Sequence, residues 1–337
     1  MPDSELKPIE VMLPAVEADL QDSLNLARQW LPAVVEEMIT YHLGWSGPEE
    51  ISGKRIRPLL VLLCCQASGG EWRAALPAAS AIEWIHNFSL IHDDIQDNSQ
   101  TRRGRPTVWK KWGNAQAINT GDALFALARL TTQRLMGNGF PAEKVLTVHR
   151  ILDETSLALT RGQHFDIAFE SMDRVTPDTY LDMIAGKTAA LLGASCQIGA
   201  LLSPANEDQI TAYRTFGENL GLAFQVIDDL LGIWGVETTT GKSSADDLQT
   251  GKKTLPVIHG LEHSAEFRRQ WADGERQEGS LAALKQLLEE AGSRDFSAEW
   301  AHQYSEEALA ALEAAQPHEP AKNELSTLTA RLLQRIA

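Results

Sequence analysis

Apolar residues along this chain recur three and four positions apart almost from end to end, with polar residues between them. That spacing predicts a first amphipathic helix over about 14–43, ending near Gly44, with WSGPEEISGK as the following loop. A second helix is expected from about Arg57 to Ala67, stopped by SGG. A third begins near Trp72 and carries AALPAASAIEWIHNFSLIHDDIQD. After a loop through Gly104 and Pro106 comes AQAINTGDALFALARLTTQRLMG, then helices over about 141–170, 177–202 and 206–234. WGVETTTGKSS separates these from a more acidic C-terminal part, which keeps helical spacing in LAALKQLLEEAG and NELSTLTARLLQRIA. No convincing run of alternating positions predicts strands, and no fixed-period repeat or Pro/Gly/Ser-rich linker divides the chain. The expectation is one all-α domain over 1–337, with its functional centre between helices. Its motif-bearing core covers about 40–260, and further helices cover about 265–337.

Composition narrows the function classes. The hydrophobic share of 43% is ample for a large core. A net charge of −16 argues against nonspecific binding to nucleic acid or an anionic membrane, so a polyanion site would have to be built locally from clustered bases. Cys64, Cys65 and Cys196 form no C-x-x-C pair and read as reduced thiols of a cytoplasmic protein. The opening MPDSELKPIE lacks a signal-peptide pattern, and no uninterrupted apolar run approaches the roughly 20 residues of a membrane span.

Two acidic sites carry candidate chemistry. Asp93, Asp94 and Asp97 follow the apolar AIEWIHNFSLI. At about 100° per residue they share one helix face, an arrangement that repels itself unless a cation or solvent compensates. A solvated helix end is the plain explanation. A bound magnesium, which takes carboxylate and phosphate oxygens, is the sharper one. Far downstream, Gln225, Asp228 and Asp229 end another apolar helix in LAFQVIDDLLG. Basic residues beside glycines supply the counterpart: Lys54, Arg55 and Arg57 in GKRIRP, Arg102 and Arg103 in TRRGRP, Lys187 with Thr188 in AGKT, Lys242 in TGKSS, and Lys252 and Lys253 in TGKKT. GVETTTGKS is not a P-loop, since its glycines have the wrong spacing and it follows a helix. No G-x-G-x-x-G is present, so a Rossmann site is unsupported.

Taken in order, GKRIRP, DDIQD with TRRGRP, GKT, FQVIDD and GKKTLP resemble the trans-prenyltransferase (polyprenyl diphosphate synthase) family over roughly 40–260. The resemblance implies an isoprenoid-synthase-type helical bundle around a deep central cavity, in a homodimer. It implies head-to-tail condensation of isopentenyl diphosphate with an allylic diphosphate, using three magnesium ions when substrate is bound. By resemblance, Asp93, Asp97 and Asp228 bind magnesium, with Asp94 acting behind them. Arg102, Lys187, Thr188, Gln225, Lys242 and Lys252 hold the allylic diphosphate or its metals, and Asp93, Asp94, Asp97, Arg102, Lys187, Asp228 and Lys242 are the catalytic set. Lys54, Arg57, His86 and Arg103 match the isopentenyl diphosphate site, with Gly53 behind it. His86 lies about 20° off the Asp93 face, although a lone histidine in an apolar helix is ordinarily a core residue. Phe88 and Ser89, before Asp93, match positions of enzymes making the C20 product. Geranylgeranyl diphosphate is therefore expected, ahead of farnesyl or longer products. One departure stands out: the second motif reads DDLLG, with Gly232 where the family often has a further aspartate, which would weaken metal affinity. A terpene cyclase or head-to-head condensing enzyme, a non-catalytic partner subunit and a helical scaffold are the competing readings.

Overall fold

Proline and glycine cut the apolar pattern into shorter helices than its period alone predicts. The computed structural model describes residues 7–46, 53–235, 246–274 and 277–333. Where one helix over 14–43 is expected there are two, α1 (Pro8–Ala27) and α2 (Ala33–Leu43), joined by the 3₁₀ turn Arg28–Trp30. The break comes at Pro32, which disfavours the helical region for the residue before it, and Leu31 is extended at φ −104°, ψ 130°. α3 (Ile56–Ala67) and α4 (Leu76–Gln96) follow, then a loop that contains a minimal hairpin, β1 (Thr101–Arg102) paired with β2 (Arg105–Pro106). Its two turn residues, Arg103 and Gly104, have φ of 52° and 73°. Positive φ at both central positions is what a two-residue turn of the I′ class requires.

Next come α5 (Val108–Trp112), α6 (Asn114–Gln133), α7 (Ala142–Ser171) and α8 (Pro177–Ile184). The single helix expected over 177–202 is interrupted by one π turn, Ala185–Ala189, before α9 (Ala190–Leu201). α10 is Glu207–Trp234, and α11 is Asp246–Thr250. α12 (Leu255–His263), α13 (Ala265–Ala272), α14 (Glu278–Glu290), α15 (Ser293–Ala314) and α16 (Ala321–Leu333) complete the order. Pro177–Leu201 is long and apolar enough to cross a membrane by length and composition, although Asp178, Asp182 and Lys187 interrupt its apolar run. However, 72% of its most apolar window is buried, as in a core helix.

The residues form two compact units, each assembled from three separate stretches of chain. In the first (Met1–Leu157, Leu191–Arg214, Leu312–Ser326), α4 packs against α1, α3 and α6. Trp84 of α4 is fully buried and donates Nε1–H to Ser23 Oγ of α1 at 3.0 Å. Arg55, grouped by sequence with the anion-binding bases, is committed inside: it is 2% exposed and donates to Glu17 and Glu83, each at 2.7 Å. The second unit (Ala158–Ala190, Thr215–Ala311, Thr327–Ala337) has one core around Phe169, Tyr180, Ile184, Val226 and Leu255. Another core gathers Ile233, Leu248, Val257, Phe267, Leu284 and Leu288. α12 belongs to both, through Leu255 on one side and Val257 on the other. Lys253 is likewise structural, its ammonium donating to the carbonyls of Phe169 and Met172 at the end of α7.

Candidate active site

The first unit gathers the first acidic stretch and most of the predicted isopentenyl-site bases. α4 ends at Gln96, so Asp93 and Asp94 lie in its last turn and Asp97 is its C-cap. The three differ in environment: Asp93 is half-buried, Asp97 is exposed, and Asp94 is 1% exposed. Asp94 is bound by Arg102, whose Nε lies 3.0 Å from both carboxylate oxygens and whose Nη2 donates to Oδ1 at 2.8 Å. Burial pushes the Asp94 carboxyl up, while Arg102 pulls it down. Arg102 in turn sits in the hairpin. Tyr41 of α2 anchors that hairpin by donating to Pro106 O at 2.9 Å and by packing under Arg105, 4.0 Å from its ring centre.

Beside this lies a concentration of positive charge. Arg57 Nη1 is 3.2 Å from His86 Nε2. A guanidinium can only donate, so His86 Nε2 accepts and the ring is neutral with its proton on Nδ1. Burial, then Arg57, Arg103 and Arg102, hold the His86 imidazole well below its ordinary range. Burial, with Arg102 and Arg103 next, holds His42 down to about 3. Gly53 faces Arg103, whose Nη2 would lie 2.9 Å from a β-carbon there. Arg57 Nε is buried without a partner. A half-buried guanidinium whose buried Nε is an unused donor, among further guanidiniums and neutral imidazoles, is a site that an oxyanion would complete. Lys54 is exposed at its edge in sequence.

Phe88 leans on α6, its ring centre 5.1 Å from that of Phe125 and 5.0 Å from that of His92. Ser89 is half-buried and donates to His86 O at 2.9 Å.

The second unit gathers the downstream residues. The π turn carries Lys187 and Thr188. It forms where α7 and this segment touch backbone to backbone: a β-carbon on Gly186 would strike Ala158 O and lie 3.0 Å from Gly162 Cα. Lys187 Nζ donates to Asp166 of α7, leaving two ammonium protons for another acceptor. Thr188 Oγ1 donates to Gln225 Oε1 at 2.8 Å, and Gln225 Nε2 donates to Asp229 Oδ1 at 3.0 Å. Asp229 also accepts from Tyr180 Oη at 2.5 Å and from Leu255 N at 3.2 Å. It is 4% exposed, and burial, then the negative Asp247, push its carboxyl up to about 7. Asp229 is therefore a packing hub, while its neighbour Asp228 is half-buried. Lys252 is exposed, and Lys242 lies outside the described residues.

Sequence reasoning missed Asp166, Tyr180, Asp247 and His42. Asp166 had a usable signal, since Gly162 lies four residues before it on the same face of α7. The others had none, because their partners are distant in sequence.

Among the described residues, no three His, Cys, Asp or Glu side chains converge as a ready metal cluster. Carboxylates supplied singly or in pairs fit magnesium, a hard cation that fills its shell with water and substrate phosphate oxygens. Asp93, Asp97 and Asp228 offer that chemistry. The thiols do not, since all three are buried.

A sequence profile of the Polyprenyl synthetase family matches residues 35–291. The chain is similar to the (2E,6E)-farnesyl diphosphate synthase of Mycobacterium tuberculosis, 41% identical over 273 residues, covering 77% of this chain and 75% of that one. It is similar also to the geranylgeranyl diphosphate synthase of the same organism, 42% identical over 262 residues, with 76% and 74% covered. Among solved structures, polyprenyl synthetase from Streptomyces coelicolor superposes with a TM-score of 0.85 at 35% identity, covering 96% of this chain and 97% of that one.

Proposed function

The chain belongs to the polyprenyl synthetase family, and from that premise we propose that it elongates an allylic diphosphate by adding isopentenyl diphosphate head to tail. The observation that carries the two-substrate reading is the buried, partnerless Arg57 Nε beside neutral His86. A cyclase ionises one allylic diphosphate and has no use for a second diphosphate site. A non-catalytic partner or a scaffold would have no reason to keep both.

In this proposal Lys54, Arg57, His86 and Arg103, backed by Gly53, hold the diphosphate of isopentenyl diphosphate. Arg102, Lys187, Thr188, Gln225, Lys242 and Lys252 hold the allylic diphosphate or brace those that do. Asp93, Asp97 and Asp228 would hold magnesium, which when bound neutralises the diphosphate and makes it a competent leaving group. Asp94 orients Arg102 through their shared hydrogen bonds. The Thr188–Gln225–Asp229–Tyr180 chain fixes the wall that presents Asp228. Allylic C–O cleavage gives a carbocation that the isopentenyl double bond attacks, and a proton then leaves to the released diphosphate. No side-chain nucleophile is needed, and the apolar helices around a central cavity would keep water from the cation. The product proposed is the C20 diphosphate. A single functional domain, a homodimer and a cytoplasmic setting belong to the same proposal. The single domain is supported by the discontinuous make-up of each unit, and the cytoplasmic setting by three free, buried thiols.

The test is incubation of pure protein with magnesium, labelled isopentenyl diphosphate, and C5, C10 or C15 allylic diphosphates in separate reactions. Label is expected in longer prenyl diphosphates up to C20, and chelation of magnesium should abolish it. Absence of magnesium-dependent incorporation with every primer would refute the reading.

A further inference from the structure

The hairpin that carries Arg102 and Arg103 belongs to a longer run of positive charge. Residues 102–111, RRGRPTVWKK, hold five cations and no acid, in a chain whose net charge is −16. The fold concentrates them further. Arg102 and Arg105 face each other across the two-stranded ladder, a pairing of like charges that costs stability unless something compensates it. Arg102 has its compensation in Asp94. Arg105 instead lies 4.0 Å from the Tyr41 ring centre. Lys111 lies 4.4 Å from that same centre and 4.1 Å from that of Trp112, and Lys110 stands 5.9 Å from that of Trp109. Among the described residues, none of Arg105, Lys110 and Lys111 forms an ion pair, and both lysines are exposed. Aromatic faces attract these cations without neutralising them. Arg102, Arg103 and Arg105 line one cavity together with Tyr41 and His42, so the unpaired charge is continuous with the proposed diphosphate bases.

We propose that Arg105, Lys110 and Lys111 form an electrostatic guide that draws diphosphate substrates from solution toward Arg102 and Arg103, without themselves holding the bound substrate. This rests on the function proposed above. A diphosphate approaching a chain of net charge −16 meets mainly repulsion. Unpaired cations over low-dielectric aromatic rings reverse the sign of the field at the hairpin, and focusing of this kind raises association rates by about 10- to 1,000-fold. Charge that acts at a distance needs no fixed contact with its target, only freedom from neighbouring carboxylates.

The test compares wild type with the reversal pair Lys110→Glu and Lys111→Glu, the neutral pair Lys110→Gln and Lys111→Gln, and a control pair, Arg73→Glu and Lys144→Glu. The control changes net charge as much as the reversal does. Arg73, however, precedes α4 at the end opposite Asp93, and Lys144 lies in the first turn of α7. Steady-state kinetics vary isopentenyl diphosphate at saturating allylic diphosphate and magnesium. They are repeated from about 0.01 M to about 1 M ionic strength, over which the Debye length falls from about 30 Å to about 3 Å. At low salt the reversal should lower kcat/KM for isopentenyl diphosphate about tenfold or more, and the neutral pair should lower it less. The kcat should stay at its wild-type value, the deficit should close at high salt, and the control should follow wild type throughout. A wild-type kcat/KM in the reversal at low salt would overturn the inference. So would a deficit that persists at high salt, a matching fall in kcat, or an equal loss in the control. Wild type that incorporates no isopentenyl diphosphate would instead refute the proposed function.

Discussion

In the proposed function Asp94 positions Arg102, whereas its neighbour Asp93 grips metal. Asp94 is buried and Arg102 makes three close N···O contacts with it, so Asp94→Asn removes charge without changing volume. Breaking a buried ion pair costs about 3–5 kcal/mol. The Arg102 side chain is 32% exposed, so water screens part of that and about 2 kcal/mol is expected. That corresponds to roughly a 30-fold change. The kcat/KM for the allylic diphosphate should fall by about that factor in Asp94→Asn and in Arg102→Gln. The double variant should be little worse than either, because each single change already forfeits the same contact. The magnesium requirement should stay at its wild-type value in Asp94→Asn and rise in Asp93→Asn. Steady-state kinetics on the four-member cycle, repeated across magnesium concentrations, decide it. Additive losses, or a magnesium shift in Asp94→Asn matching that of Asp93→Asn, would refute the assignment.

Phe88→Ala should lengthen the products by at least one C5 unit, read by chromatography of the dephosphorylated alcohols. An unchanged distribution would leave Phe88 as packing against Phe125 alone. Gly162→Ala should cost about 1–3 kcal/mol in denaturant unfolding, because its β-carbon would fall on the Lys187 amide with Gly186 C and Lys187 Cα only 2.8 Å away. A wild-type midpoint would contradict that close approach. The His42 imidazole, held at about 3 in the folded chain, makes stability pH-dependent. The unfolded chain takes a proton near pH 6.5 that the folded one refuses, so stability is full above about 6.5 and is lost as pH falls toward 3. Between pH 7.5 and 5.5 His42 contributes a loss of about 1.4 kcal/mol, which His42→Gln should remove from the urea-measured difference.

What the sequence made legible was whatever is local. Helical spacing locates most of the helices, and the charge order around Asp93 and Asp228 picks out both acidic stretches. The break at Pro32 was hidden because apolar spacing continues through it, although the restriction on Leu31 was available. The hairpin at Arg103 and Gly104 is too short to show alternation. Arg55 and Lys253 resemble the other bases beside glycines, and only their partners, Glu17, Glu83 and the end of α7, reveal them as structural. Asp94 and Asp229 sit one residue from the proposed metal ligands, and only tertiary burial distinguishes them. The Asp247 side chain lying against Gly232 is likewise invisible in the order of residues, which does not bring the two together.

The central claim of the proposed function is that Asp93, Asp97 and Asp228 hold the divalent cations that bind diphosphate. The direct measurement is anomalous scattering from a crystal of the protein grown with manganese and a non-ionisable allylic thiodiphosphate. Manganese peaks within about 2.2 Å of carboxylate oxygens of Asp93, Asp97 and Asp228, together with bound diphosphate, are the predicted result. A diphosphate bound away from these aspartates, or manganese on one stretch alone, would contradict the account.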